Sequence, residues 1–121
     1  MPIDYKKYPN NWNEIRNMIL LRAGGDSEDP RINARCERCF VRNYSCRCGD
    51  KVISEHDSYK DARSKCPRGC SVVVLTIAHI NNPDPMDSRP ENLQALCQRC
   101  HNRLDAAMRL EHRRRRRQSS R

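Results

Sequence analysis

Thr76-Ile-Ala-His79-Ile80 … Pro90-Glu-Asn92-Leu-Gln-Ala-Leu-Cys97-Gln-Arg-Cys100-His101-Asn-Arg-Leu-Asp105 is the most informative part of this 121-residue chain. The run leading into it, Ser71 to Ile80, is dense in β-branched residues and predicts a strand. Asn81 to Pro90 holds three prolines and two aspartates and predicts a loop. Beyond it, Leu96, Cys100, Leu104 and Met108 recur every four residues, which predicts a helix with one inward face from about Cys97 onward. A histidine therefore ends a strand, an asparagine stands thirteen positions later, and a second histidine follows directly after a Cys-x-x-Cys pair.

Working outward, that pair is one of four: Cys36-x-x-Cys39, Cys46-x-Cys48, Cys66-x-x-x-Cys70 and Cys97-x-x-Cys100. The N-terminus, Met1 to Lys7, shows no apolar secretory region, so the expectation is a reducing, cytoplasmic setting. There, close cysteine pairs read as metal ligands rather than disulfides. Eight thiolates suffice for two structural Zn2+ ions with four cysteines each. The pairs can be combined in three ways, which spacing does not decide. Nesting the inner pairs lets the segment between them fold by itself, which favours Cys36, Cys39, Cys97 and Cys100 for one ion and Cys46, Cys48, Cys66 and Cys70 for the other.

Composition explains why such ions are needed. Only 36% of the chain is apolar and 5% aromatic, too little for a self-sufficient core of ordinary size. No apolar run approaches the length of a membrane span. The net charge is +9, and Arg109 to Arg121 carries +6 of it. Arg113, Arg114, Arg115, Arg116 and Arg117 therefore predict contact with nucleic-acid phosphates, a contact blind to sequence. Near the other end, Asn10-Asn11 predicts the start of a helix over 12–24, with Trp12, Ile15, Met18, Ile19 and Arg22 at helical spacing and Gly24-Gly25 as its stop. Residues 1–10 predict an extended arm.

Taken in order, His79, Asn92, Cys97-x-x-Cys100 and His101 resemble the HNH endonucleases, a family built on a ββα-metal motif. Trp12-x-x-Ile15, the helix behind it and Cys36-x-x-Cys39 look like the lead-in of small HNH nucleases, many of them phage-encoded. The resemblance implies a small α+β, zinc-stabilised domain over 1–108: an N-terminal helix at 12–24, a zinc-binding insertion at 43–70 and a ββα-metal core at 72–108, followed by an Arg-rich tail at 109–121. It covers neither the insertion nor the tail.

The roles it implies follow the chemistry. His79 matches the general base that takes a proton from water, a task suited to an imidazole near neutral pH. Asn92 matches the residue that orients the base. His101 matches a helix-borne ligand for a catalytic Mg2+ or Mn2+, and Asp105, one turn on, shares its face. Double-stranded DNA is the implied substrate, and a monomer suffices for nicking. The residue before the base is usually an Asp or His metal ligand; here it is Ala78. Water, Asp105, Asp84 or Asp87 would have to take that position, or the site is inactive. The alternative is a non-catalytic zinc-ribbon DNA-binding module derived from such a nuclease.

Overall fold

The computed structural model describes residues 8–119, and of Ser119 the backbone alone. The expected arm over 1–10 and the end of the tail thus lie mostly outside the described residues. The described elements are α1 (Trp12–Arg22), β1 (Cys46–Cys48), β2 (Lys51–Ser54), α2 (Tyr59–Lys65), β3 (Ser71–Val72), β4 (Thr76–His79), a 3-10 turn (Pro90–Asn92), β5 (Leu93–Leu96) and α3 (Gln98–Ser119). Together they make a small α+β fold.

β4 and β5 form an antiparallel hairpin in which Thr76 faces Leu96 and His79 faces Leu93. Side chains alternate across a strand, and the two faces of this hairpin are covered by different helices. Ala78 and Leu96 pack with Cys97, Cys100 and Leu104 against α3. Leu93 and Ala95 pack with Ile19 and Leu20 of α1, with Trp12, Ile15 and Ile77 alongside. The predicted helix at 12–24 is therefore present and two residues shorter. Its inward face differs in one place: Leu20 is buried and Met18 is exposed.

The predicted strand over 71–80 is broken in two. Its first part pairs with β1, in a sheet ordered β2-β1-β3, and its second part pairs with β5. Between them the backbone bonds to the chain around residue 44 instead: Val73 N–H donates to Ser45 O at 2.8 Å, Tyr44 N–H to Val73 O at 2.8 Å, and Leu75 N–H to the Asn43 side-chain oxygen at 3.0 Å. Asn43, buried, also donates to Arg31 O at 2.9 Å. One polar side chain thus replaces a strand partner where the chain changes sheets, as buried backbone groups require.

A second polar anchor joins α1 to the hairpin. Arg22 makes two bonds to Glu37, at 2.7 and 3.0 Å, and also donates to Pro90 O at 2.9 Å and Leu93 O at 2.6 Å. Glu37 accepts in turn from Ala95 N–H at 3.0 Å. The insertion is held differently. Arg99 of α3 grips Asp50 and the Gly49 carbonyl, both at 2.8 Å. α3 itself runs unbroken to Ser119, so the change in composition near residue 109 marks no structural boundary.

The stop after α1 depends on Gly25, whose N–H donates to Leu20 O at 2.9 Å. A Cβ there would press on the Pro30 carbonyl and lie 2.8 Å from Leu20 O. Gly49, at φ +62°, has open space around it. Gly25→Ala is therefore expected to cost about 3 kcal/mol through overpacking against backbone, and Gly49→Ala only about 1 kcal/mol for its left-handed conformation. Denaturant unfolding of the two variants checks the ranking.

Candidate metal centre and histidine site

Cys36, Cys39, Cys97 and Cys100 converge from two distant segments. The first pair sits in a knuckle closed by Cys36 N–H to Val41 O and Phe40 N–H to Cys36 O, both 2.9 Å. Phe40 adopts φ 64° to complete it, a conformation that favours glycine. The second pair spans the junction of β5 and α3. All four sulfurs lie within 4.8 Å of one another, and Cys39 and Cys97 are 3.6 Å apart. Sulfurs held about 2.3 Å from a zinc sit about 3.8 Å apart in a tetrahedron, so the set fits Zn2+.

Thiols packed this closely cannot all ionise without a cation. Burial raises the Cys97 thiol, but the Cys100 N–H and the Arg47 guanidinium more than offset it, so it lies below the ordinary value. Cys100 is raised, first by burial and then by the adjacent sulfurs. A divalent ion resolves the conflict by stabilising every thiolate at once.

The inner pairs also come together, as expected, but their bonding differs from a four-thiolate site. The structure joins Cys46 to Cys66 and Cys48 to Cys70 as disulfides. Each link takes one cysteine from each pair, with Cα separations of 5.6 and 4.5 Å that suit such bonds.

His79 ends β4 and lies against aromatic rings. Trp12 stacks on it with centroids 5.8 Å apart and planes 11° from parallel; Tyr8 lies 6.0 Å away. The Pro85 carbonyl lies near enough to the imidazole to favour its protonated form. Nε2 is buried and has no hydrogen-bond partner. Desolvation lowers the pKa of His79, against the opposing pull of the Pro85 carbonyl, Asp87 and Asp84. The ring is thus biased towards its neutral form.

Asn92 does not touch this ring. It is buried, and its amide closes the loop that delivers Pro85. Its oxygen accepts from Asn81 N–H at 2.9 Å and Asn82 N–H at 2.8 Å, while its nitrogen donates to Asn82 O at 2.9 Å and Asp87 O at 3.0 Å. All of its hydrogen-bonding capacity is used on backbone. Asp87 is fully engaged: Arg89 binds both carboxylate oxygens, at 2.8 and 2.9 Å, Asn82 adds a bond at 3.0 Å, and the carboxyl is held at about 2.

His101 stands apart from the cysteine cluster. Its Nδ1 lies 2.8 Å from the Thr76 hydroxyl, which in turn is 3.5 Å from Leu96 O. When Thr76 donates to that carbonyl it accepts from Nδ1–H, which leaves the Nε2 lone pair facing Asp105, whose Oδ1 is 3.8 Å away. An imidazole and a carboxylate so placed can share one divalent ion. Thr76 and Ala78 face α3, whereas Ile77 and His79 face α1, so His79 and His101 leave opposite faces of the hairpin. They do not face one another across a shared cleft. Alternation along β4 is the reason, and it puts Ala78 rather than His79 beside the His101 side.

α3 continues beyond Asp105 as a basic rod. Arg109, His112, Arg113 and Arg116 line a cavity of about 510 Å³ against Asn81 and Pro83 of the loop. Arg115 also contacts Glu111 at 3.4 Å. Sequence reasoning missed Thr76, Tyr8, the Pro85 carbonyl and the Arg47–Cys97 contact. None carries a motif signal, because each acts through a neighbour brought close by folding. Among the described residues no helix is long and apolar enough to cross a membrane. No protein-family model matches the chain, and neither curated proteins nor solved structures give a significant match.

Stripping the ion from Cys36, Cys39, Cys97 and Cys100 with a strong chelator, or changing Cys97→Ser, is expected to remove on the order of 10 kcal/mol of apparent folding energy. Loss of the cooperative thermal transition, followed by circular dichroism, is the readout; an unchanged transition would count against a structural metal. For His79 the sign is set by its lowered pKa. Folded protein binds that proton less readily than unfolded protein, so the contribution is present above the ordinary histidine value of about 6.5 and is lost as pH falls below it. An NMR titration is expected to place the His79 midpoint below that of a free histidine, and Trp12→Ala to move it upward.

Proposed function

We propose that this chain is a metal-dependent nuclease of the HNH type that hydrolyses phosphodiester bonds in double-stranded DNA, nicking one strand at a time as a monomer. The observation that carries the reading is the Asn92-laced loop beside His79, an imidazole that burial biases towards its neutral, proton-accepting form. The hairpin and α3 supply the second half, His101 and Asp105, on the other side of β4.

In this reading His79 accepts the proton of the attacking water at Nε2, and its lowered pKa keeps it unprotonated near neutral pH. Asn92 acts as a positioning residue through the loop backbone. His101 and Asp105 would hold Mg2+ or Mn2+, which supplies positive charge to the scissile phosphate and the departing oxygen. Among the described residues β4 has no strand on its other side, so a phosphodiester reaching both halves would lie across that edge. Tyr8 and Trp12 must yield for water to reach Nε2. The arginines of α3 neutralise flanking phosphates and provide affinity without sequence choice.

Two observations favour a second reading, a non-catalytic DNA-binding module. Ala78, where a ligand would complete the cation site, is buried in the apolar layer against α3, and Nε2 of His79 is covered. Supercoiled plasmid incubated with Mg2+, Mn2+ or EDTA separates them. The nuclease is expected to nick with metal only. His79→Ala should lower the rate by at least about 100-fold, and His101→Ala and Asp105→Asn should raise the metal concentration required. Replacing Arg113 to Arg117 with alanine should reduce the salt slope of DNA binding by about 4. Tight binding with no nicking beyond that of His79→Ala would establish the second reading.

A further inference from the structure

The insertion has almost no core. Of residues 46–70 only Cys46 and Ala62 are buried, while Val52, Ile53 and Tyr59 are exposed. Cross-links at its cysteines must therefore supply its order. Cys46 and Cys48 sit two apart on β1, which directs both sulfurs to one face. The chain returns to that face through a tight turn, with Cys70 N–H donating to Pro67 O at 3.1 Å and Gly69 at φ +88°. The two disulfides are not independent. The sulfurs of Cys46, Cys48 and Cys70 all lie within 4.8 Å of one another, and Cys66 is bonded to Cys46. Three sulfurs thus converge, and the fourth, Cys66, is held beside them through its bond to Cys46.

We propose that Cys46, Cys48, Cys66 and Cys70 form a second zinc site when reduced, and that a peroxide converts it reversibly into the Cys46–Cys66 and Cys48–Cys70 disulfides with release of the ion. The balance closes. Four zinc-bound thiolates lose four electrons and form two S–S bonds; two hydrogen peroxide molecules take up those electrons with four protons, giving four waters and free Zn2+. Both states use the same backbone turn: the Cα separations suit disulfides, and breaking the Cys46–Cys66 bond frees the Cys66 sulfur to join the other three about one ion. Access differs between the two clusters. Cys48, Cys66 and Cys70 are half-buried and Cys46 is buried, whereas the outer cluster has one exposed sulfur, Cys39, and three buried in the apolar layer, so conversion to two disulfides is open to the insertion cluster first. The site is independent of whether the protein cuts DNA.

The test uses the full chain, purified with reductant and zinc. Native mass spectrometry is expected to show two zinc ions. Two equivalents of hydrogen peroxide should release one, read by a zinc-binding dye, and non-reducing peptide mapping should find Cys46 linked to Cys66 and Cys48 to Cys70. Dithiothreitol with added zinc should restore the second ion. The double variant Cys48→Ser, Cys70→Ser should hold one ion and release none under the same treatment. One zinc in the reduced wild type would overturn the proposal even if that variant fails to fold. Two zincs that leave together, or oxidation that yields other pairings, would overturn it as well.

Discussion

The convergence of four sulfurs at Cys36, Cys39, Cys97 and Cys100 is the constraint on which the rest of the molecule depends. It ties a knuckle to the junction of β5 and α3 across a sequence separation of 58 residues between Cys39 and Cys97. Everything between those segments must close back on itself. Three of the four cysteines are also members of the apolar layer between hairpin and α3, so metal binding and hydrophobic burial act on the same atoms. A chain with so little apolar content gains little from burial alone, and a zinc ion in this position would fix the helix that carries His101 and Asp105.

The two histidines illustrate how strand geometry divides a site. Their positions on β4 and at the start of α3 bring both near the hairpin, yet alternation sends their surroundings to opposite faces. His79 meets Trp12 and the Pro85 carbonyl; His101 meets Thr76 and Asp105. His101 is oriented through Nδ1 by the Thr76 hydroxyl, whereas His79 is held by ring stacking on Trp12. The same arrangement gives Asn92 an indirect role. It secures four backbone groups of the loop that lies beside His79.

The insertion follows another logic. It has almost no core and is fastened from outside by Arg99 on the Gly49–Asp50 turn. Its own cysteines hold it from within. Polar clamps and sulfur chemistry here take the place that aliphatic packing has in larger domains.

The sequence by itself determined the pieces whose signals are local. The helix at Trp12, the loop at 81–90, the strand-ending His79 and the four-residue period of α3 follow from spacing and composition, and nesting favours, without deciding, the grouping of outer with outer and inner with inner cysteines. Other features needed the folded chain. The run 71–80 reads as one strand because β-branched residues favour extension, but only tertiary contact with Asn43 and Ser45 splits it between two sheets. Asn92 and Asp87 are ordinary loop residues in sequence; backbone groups and Arg89 brought to them by folding decide that one laces the loop and the other is already engaged. The thiols of 46, 48, 66 and 70 are legible as a set, but which sulfur meets which is a property of three-dimensional distance. The face of β4 to which each histidine belongs is settled only once α1 and α3 have covered both sides, because periodicity fixes alternation and packing fixes its direction.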